Sequence, residues 1–280
     1  MSTATKDNDS IRSQVADAYS EALARSQAKG GGCCGPTAPF GEAAKTAGYR
    51  EELAANAEAA ASSFGCGNPL AFAGVEEGQT VVDLGSGAGF DLLIAAGKVG
   101  PEGHVIGIDM TDAMIEAARA NAAKQGFDQV EIRKGLIEEM PVEADSVDWV
   151  ISNCAINLSP EKDRVFAEIA RVLKPGGRFS ISDIVVEELP AWVKEHEAAY
   201  AACVAGAISE GEYVAGLRAA GLETVEVTER QVYTCDQIRG IVASDLESFG
   251  LDPDLLGDRL AELEGKVWSA RLTGRKPLAS

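Results

Sequence analysis

The pattern of apolar and polar residues changes along the chain. From residue 80 onward, short apolar runs alternate with longer stretches of helical periodicity. Near-continuous apolar strands separated by helices are typical of a mostly parallel sheet that is covered on both faces, so we predict an α/β fold. The predicted strands are "TVVDLGSG", "HVIGIDM", "VEIRKG", "VDWVISNCAINL" with its following loop, and "RFSISDIVV".

Three helices are predicted between these strands. They cover "FDLLIAAGKV", "TDAMIEAARANAAKQG" and "SPEKDRVFAEIARVLKPGG". In the third, Ser159 has the residue type of an N-cap, Pro160 suits the first helical position, and the closing glycines suit a helix end.

The two flanks of this region have weaker patterns. Residues 11–27 place Ile11, Val15, Tyr19 and Leu23 at a spacing of four, which predicts an amphipathic helix. "AKGGGCCGPTAP" predicts a loop or mobile lid, and "EELAANAEAAASS" a helix. After residue 187 we predict a helix over "ELPAWVKEHEAAYAACVAGAI", a second helix opened by a capping box of Ser209 and Glu212, one or two strands in "LETVEVTERQVYTC", and a last strand in "VWSARLTGRKP".

We divide the chain into three predicted regions. They are an N-terminal segment of helices and a cysteine loop (1–65), a ligand-binding core (66–187), and a smaller α+β region (188–280) that completes the sheet. A length of 280 residues suits one large domain or one domain with appendages.

The negative net charge of the chain disfavours some classes of binding partner. The formal net charge of −19 repels phosphate backbones and anionic lipid headgroups, so we expect neither nucleic acid nor membrane as a partner. No apolar run approaches the roughly 20 residues of a membrane span, and the polar start shows no signal region, so we expect a cytoplasmic protein. The two histidines, His104 and His196, stand far apart, which argues against a histidine-ligated zinc site or a serine–histidine triad.

Six cysteines offer soft-ligand or redox chemistry. Structural disulfides are rare in the cytosol and no C-x2-C pair is present, so a disulfide framework and a zinc ribbon find no support. Filling of the core remains the plain alternative for each of them. Cys66, however, lies between two glycines on a turn, where it is hard to bury. The cysteines are Cys33, Cys34, Cys66, Cys154, Cys203 and Cys235.

A glycine-rich loop joins the first strand to its helix. Its sequence "DLGSGAGFD" has the spacing G-x-G-x-G instead of the G-x-G-x-x-G of dinucleotide-binding proteins, and Asp109 ends the next strand. A glycine turn that serves packing alone is the alternative. With Asp83 ahead of it, the loop resembles motif I of class I S-adenosylmethionine-dependent methyltransferases, which have a Rossmann-like, mostly parallel seven-stranded sheet.

That resemblance implies a cofactor site for S-adenosylmethionine. Asp83 would face the methionine amino group, and Asp109 would hold the ribose hydroxyls. Met110 would pack on the adenine, and "GLIEEMP" occupies the place where such enzymes recognise the adenine edge. Asn153 would lie near the reactive methyl group. The implied cofactor residues are Asp83, Gly85, Ser86, Gly87, Asp109, Met110, Ile137, Glu138 and Asn153.

The cysteine contexts "FGCGNP", "SNCAINLS" and "ACVAGAI", with the "CC" loop, resemble the arsenite methyltransferase family from about residue 30 to at least residue 240. The resemblance implies that Cys66, Cys154 and Cys203 bind trivalent arsenic, supplied as arsenite or its thiol conjugates, and that Cys33 or Cys34 pairs with Cys66 during turnover. Thiolates suit a soft ion such as arsenic(III).

The same resemblance implies thioredoxin or glutathione as reductant. Phe64 departs from the tyrosine that relatives often have there, and Cys235 matches no position of the family, so we interpret it as structural. Two other functions stay open: a methyltransferase for another small acceptor, such as a quinone or sterol, and a non-catalytic module that binds a soft metal.

Overall fold

The computed structural model describes residues 7–28, 56, 59–60, 68–70, 73–188, 206–232 and 265–279. Within these ranges, the chain forms one seven-stranded sheet in the order β3-β2-β1-β4-β5-β7-β6. Strands β1 to β5 are parallel, and β7 lies antiparallel between β5 and β6. The predicted mostly parallel sheet is confirmed. The strands are β1 (Thr80–Leu84), β2 (His104–Asp109), β3 (Val130–Lys134), β4 (Val147–Asn153), β5 (Leu173–Val186), β6 (Glu223–Val232) and β7 (Val267–Arg275).

The five described helices lie where the periodicity predicts them, apart from the ends of α4. The helices predicted over "EELAANAEAAASS" and "ELPAWVKEHEAAYAACVAGAI" lie largely outside the described residues, as does the loop predicted over "AKGGGCCGPTAP". The capping box of Ser209 and Glu212 is present at the start of α5. No helix in the described ranges is long and apolar enough to span a bilayer. The helices are α1 (Asn8–Ala28), α2 (Phe90–Val99), α3 (Asp112–Gln125), α4 (Lys162–Val172) and α5 (Glu210–Ala219), with a 3-10 turn at Ile156–Leu158.

The sheet is buried on both faces, as its apolar strands predict. Val81 packs in a cluster with residues of α2 and α3, whereas Val82 packs in a second cluster with residues of α4 and α5. Both side chains are fully buried. Successive strand residues point to opposite faces, so this pair shows that helices cover each side of the sheet.

The predicted boundaries of α4 were wrong at both ends. The helix begins at Lys162, and Glu161 is its N-cap in place of Ser159. The Ser159 hydroxyl accepts the Glu161 N–H at 3.1 Å and donates to Glu138 at 2.7 Å, so it forms a local turn and a tertiary contact. At the other end, β5 follows directly after Val172. Lys174–Gly177 form an irregularity in that strand, because pairing with β4 resumes only at Arg178.

Candidate active site

A cavity with about 770 Å³ of empty space, open solvent included, lies at the carboxyl ends of β1, β2 and β4. The glycine loop, the end of β2, residues 135–138 and residues 153–159 form its walls, and α1 covers it from the other side. A smaller cavity of about 330 Å³ adjoins it and shares Gly85, Gly87 and Asn153 with it. Ligands of open α/β sheets bind at this edge, so the position is that of a ligand site.

The glycine loop has a backbone that other residues adopt only with strain. Gly85 has φ 65° and Gly87 has φ 52°. A Cβ on Gly85 would also lie 2.5 Å from the Cβ of Ala155, whereas a Cβ on Gly87 would meet no atom within 4 Å. The first glycine therefore permits close packing against the end of β4, and the second leaves open space above the loop.

Asp109 fastens this loop to the end of β2. Its carboxylate accepts the Gly87 N–H at 2.9 Å through one oxygen and the Thr111 N–H at 2.9 Å through the other. Burial raises the pKa of Asp109, and these backbone donors oppose that rise by favouring the charged form. The residue predicted to hold a ribose thus lies in the cavity wall and also fixes the loop.

Two buried carboxylates, Asp83 and Asp91, line the smaller cavity, and Asp109 lies close by in the wall of the larger one. Burial is the largest cause that raises the pKa of Asp83 well above its usual range, and the charges of Asp91 and Asp109 raise it further. The Asn153 amide donates to Asp91 at 2.9 Å. The buried hydroxyl of Ser86 has no hydrogen-bond partner among the described residues. A ligand with positive charge and polar atoms suits this arrangement.

Asp91 was missed by the sequence analysis. It lies in the first turn of α2, directly after the glycine loop, and it is buried in the wall of the smaller cavity. An acidic residue at that place in "GFDLL" was visible in the sequence. Because acidic residues are common in the first turn of exposed helices, the type alone gave no sign of burial.

Helix α1 supplies a wall that the sequence analysis also missed. Arg12, Val15 and Tyr19 line the larger cavity. The Arg12 guanidinium donates to Glu138 Oε1 through Nε at 3.2 Å and Nη2 at 3.1 Å, and it pairs with Glu161 as well. The buried Glu138, predicted to recognise an adenine edge, is therefore already engaged by α1. The amphipathic pattern of residues 11–27 predicted the helix but not its place.

Cys154 follows β4 directly and lies in the cavity wall beside Asn153. Its φ is 55°, which is uncommon for a residue other than glycine, asparagine or aspartate and costs of order 1 kcal/mol. Its N–H donates to the Ser182 carbonyl at 2.9 Å. The structure records the Cys154 sulfur as disulfide-bonded. A strained residue that is held in a cavity wall is a candidate for function.

The predicted residues therefore fall into two groups. All of the implied cofactor residues line one or both cavities, and Cys154 lies with them. The other cysteines of the predicted arsenic and redox sets lie outside the described residues, as does Cys235. Within the described ranges, no three histidine, cysteine or acidic residues are grouped so as to hold a metal ion. The predicted cofactor residues that line the cavities are Asp83, Gly85, Ser86, Gly87, Asp109, Met110, Ile137, Glu138 and Asn153.

Comparison with known proteins identifies the family. A methyltransferase domain model matches residues 75–231. An arsenite methyltransferase from Halobacterium salinarum is 46% identical over 205 residues, which are 73% of this chain and 52% of that protein. An arsenic(III) S-adenosylmethionine methyltransferase from Chlamydomonas reinhardtii has a solved structure with a TM-score of 0.63 and 30% identity, covering 88% of this chain and 76% of that one. The chain belongs to the arsenite methyltransferase family.

Another member of this family, from Aquipseudomonas alcaligenes, is 36% identical over 182 residues, which are 62% of this chain and 52% of that protein. The chain spans about half the length of the curated relatives it matches. S-adenosylmethionine is the cofactor of this family, and the residues in the two cavities fit it. The acidic smaller cavity suits its cationic methionine end, and the apolar side chains of Met110, Met114 and Ile137 suit a flat base.

Proposed function

We propose that the chain transfers methyl groups from S-adenosylmethionine to trivalent arsenic, converting arsenite to methylated arsenicals. The observation that supports this most is the place of Cys154. It is the one cysteine among the described residues, and it lies in the wall of the cavity formed by the glycine loop and Asp109. Thiolates are the ligands that suit a soft ion such as arsenic(III).

The cofactor would be held mainly by the glycine loop side of the cavity. Asp83 and Asp91 would face its methionine ammonium, Asp109 its ribose, and Met110 and Ile137 its adenine. When bound, S-adenosylmethionine supplies an electrophilic methyl group, which forms a bond to arsenic as its bond to sulfur breaks. The side chains that surround it would exclude water and fix its direction, and such alignment supplies much of the rate enhancement in a reaction of this kind.

On the acceptor side, Cys154 would bind arsenic together with Cys66 and Cys203. Three sulfurs would displace the oxygen or thiol ligands of arsenite and leave its lone pair directed at the methyl group. Because that lone pair is already a nucleophile, no general base is needed. This agrees with the described lining of the two cavities, which includes no histidine.

Turnover would require a thiol reductant. Methylation oxidises arsenic formally from +3 to +5, and two electrons from a pair of thiols, which become a disulfide, return it to +3. Cys66 with Cys33 or Cys34 would form that pair, and thioredoxin or glutathione would then reduce the disulfide. A sulfur in a disulfide is not free to bind arsenic, so the reductant would also have to keep Cys154 as a thiol.

The proposal extends to the rest of the chain. Residues 1–65 would form the helices and redox loop, residues 66–187 the cofactor core, and residues 188–280 the remainder of the arsenic site and the sheet. A cytoplasmic place for the protein would suit its reduced thiols.

The test is incubation of the purified chain with arsenite, S-adenosylmethionine and either thioredoxin or glutathione, followed by mass-spectrometric speciation of arsenic. We expect methylated arsenicals that require all components. Stoichiometric arsenite binding without methylated product would favour the binding module instead. Methylation of a quinone or sterol with no affinity for arsenite would favour the other methyltransferase classes.

A second experiment tests the cysteine assignment. Arsenite has three exchangeable ligands, whereas methylarsenite has two, so a third thiolate is needed only for the first methylation. We therefore expect Cys66→Ser to abolish methylation of arsenite and to spare much of that of methylarsenite. Equal retention of both rates would contradict the role of Cys66 as third ligand.

A further inference from the structure

Residues 154–159, here called the Cys154 segment, form one wall of the cavity. Cys154, Ala155, Leu158 and Ser159 line it. The segment starts with the unfavourable φ of Cys154 and continues through the 3-10 turn of Ile156–Leu158. Neither feature is stable in isolation, because the first is strained and 3-10 turns have poor hydrogen-bond geometry. Contacts from behind must therefore hold the segment in place.

Asp183 on β5 provides two of those contacts. Its carboxylate accepts the Asn157 backbone N–H at 3.1 Å and the Asn157 side-chain amide at 2.8 Å. It also accepts the Tyr213 hydroxyl of α5 at 2.7 Å and the N–H of Ile184 at 2.9 Å. Asp183 lines neither cavity, so among the described residues its hydrogen bonds reach the site through the Cys154 segment.

Stability gives no sufficient reason for a carboxylate at this position. Asp183 is fully buried, and burial raises its pKa to about 6 although its donors favour the charged form. Replacing a buried charged group with apolar side chains of similar volume is often neutral or stabilising. A buried and fully hydrogen-bonded network does, however, fix one conformation of the groups that it joins. The acceptors of Asp183 fix Asn157, three residues after Cys154.

The ends of the segment are held separately. The Cys154 N–H is bonded to Ser182, the neighbour of Asp183 on β5. From α4, the Lys162 ammonium donates to the carbonyls of Asn157 at 3.2 Å and Ser159 at 2.9 Å. In the middle of the segment, the Asn157 amide donates to the Ile184 carbonyl at 2.6 Å as well as to Asp183. The two bonds of Asn157 to Asp183 are the ones that depend on the carboxylate.

We propose that Asp183 is a positioning residue that sets the direction of the Cys154 thiol by holding Asn157. The proposal rests on the proposed function in so far as the ligand of that thiol is arsenic; the orientation of the thiol itself does not depend on it. Asp183→Asn keeps the size of the side chain but has one acceptor oxygen fewer, so it cannot accept all the bonds of the carboxylate.

The experiment compares Asp183→Asn with the matched variant Tyr213→Phe, which removes only the bond from α5. In reduced protein, the rate of iodoacetamide alkylation at Cys154 is followed by peptide mass spectrometry. The Kd of S-adenosylmethionine and the KM and kcat for arsenite are measured beside it. We expect Asp183→Asn to raise the alkylation rate several-fold and the arsenite KM by about tenfold, while the cofactor Kd changes little, because small misplacements weaken reactions strongly. Tyr213→Phe should produce smaller changes in the alkylation rate and in the arsenite KM.

The proposal fails if Asp183→Asn lowers the melting temperature but leaves the alkylation rate and the arsenite KM unchanged, since the carboxylate would then serve stability alone. Should Asp183→Asn not fold, Asn157→Ala takes its place, because it removes the side-chain donor from the other end of the same contact. If the wild-type chain does not methylate arsenite, the proposed function fails, and alkylation of Cys154 still decides whether Asp183 positions it.

Discussion

The two sides of the cavity are built in different ways. The glycine wall, formed by residues 83–91 and 109–110, comes from one β-α-β stretch, and its fixed points are backbone N–H groups held by Asp109. The opposite wall joins the Cys154 segment to Glu138 and to Arg12, which is 126 residues away from Glu138 in the chain. Backbone contacts form the first wall, and side chains from distant segments form the second.

The two walls differ in the substrate that each would bind, the cofactor on one side and the methyl acceptor on the other. A cofactor that is the same in every member of a large family needs a wall with a fixed backbone. An acceptor that differs between methyltransferases needs side chains that can be exchanged without altering that backbone. We therefore expect substitutions in the glycine wall to act on the cofactor and substitutions in the Cys154 segment to act on the acceptor. Substitutions of Arg12 and Glu138 should act on closure of the cavity over the cofactor by α1.

The largest effect should come from Cys154→Ser. A hydroxyl is a hard ligand and replaces a soft thiolate, so we expect methylation of both arsenite and methylarsenite to fall by more than about 100-fold. Binding of S-adenosylmethionine, measured by titration calorimetry, should be retained. Normal turnover of this variant would show that methylation does not need the Cys154 thiol. The acceptor could then not be assigned to the wall that contains Cys154.

Asp109→Ala should produce the next largest effect, and on the other substrate. It removes charge-assisted hydrogen bonds worth roughly 1.5–3 kcal/mol each, so S-adenosylmethionine should bind at least about tenfold more weakly. Asp112→Ala is the matched control, because Asp112 is 73% exposed and pairs with Lys134 outside the cavity. Calorimetry that gives equal affinities for the two variants would contradict the assignment of the ribose to Asp109.

The two walls also differ in how far the sequence predicted them. Gly85, Gly87 and Asp109 were predicted because a strand, a glycine spacing and a following acid lie close together in the chain. The position of Arg12 in the cavity wall was not predicted. Its contact with Glu138 joins residues that are far apart in the chain, and such a contact depends on packing that no local pattern encodes. Ser159 shows the same limit: its sequence favours an N-cap, but the nearby carboxylate of Glu138 provides a competing partner for its hydroxyl.

Arg12→Ala tests closure by α1. It leaves the buried Glu138 without its cation, which costs about 1–2 kcal/mol here, less than for a fully buried pair because Arg12 keeps some access to water. We expect lower stability in urea and faster cofactor dissociation in stopped-flow displacement. Arg25→Ala removes an exposed pair on the same helix and is the control. The double variant with Glu138→Gln should recover part of the loss, since no charge is then left unpaired.

The smallest effects should be those of the loop glycines. Gly87→Ala should lower the free energy of unfolding by about 1 kcal/mol, because its φ is positive and its surroundings are open. Gly85→Ala should cost more, since its Cβ would also overlap Ala155. Gly74→Ala, which meets no atom within 4 Å, serves as reference in urea denaturation. Equal losses at Gly85 and Gly87 would show that contact with the opposite wall adds nothing.

The acidic character of the smaller cavity has a consequence for the catalytic cycle. Asp83, Asp91 and Asp109 lie together in a chain whose formal net charge is −19. Their attraction is greatest for a ligand that carries the most positive charge. The cofactor enters with a charged sulfonium, and after transfer it is a thioether with an uncharged sulfur. We therefore expect the same carboxylates to hold the reactant more strongly than the spent product, which favours exchange of one for the other at each turnover.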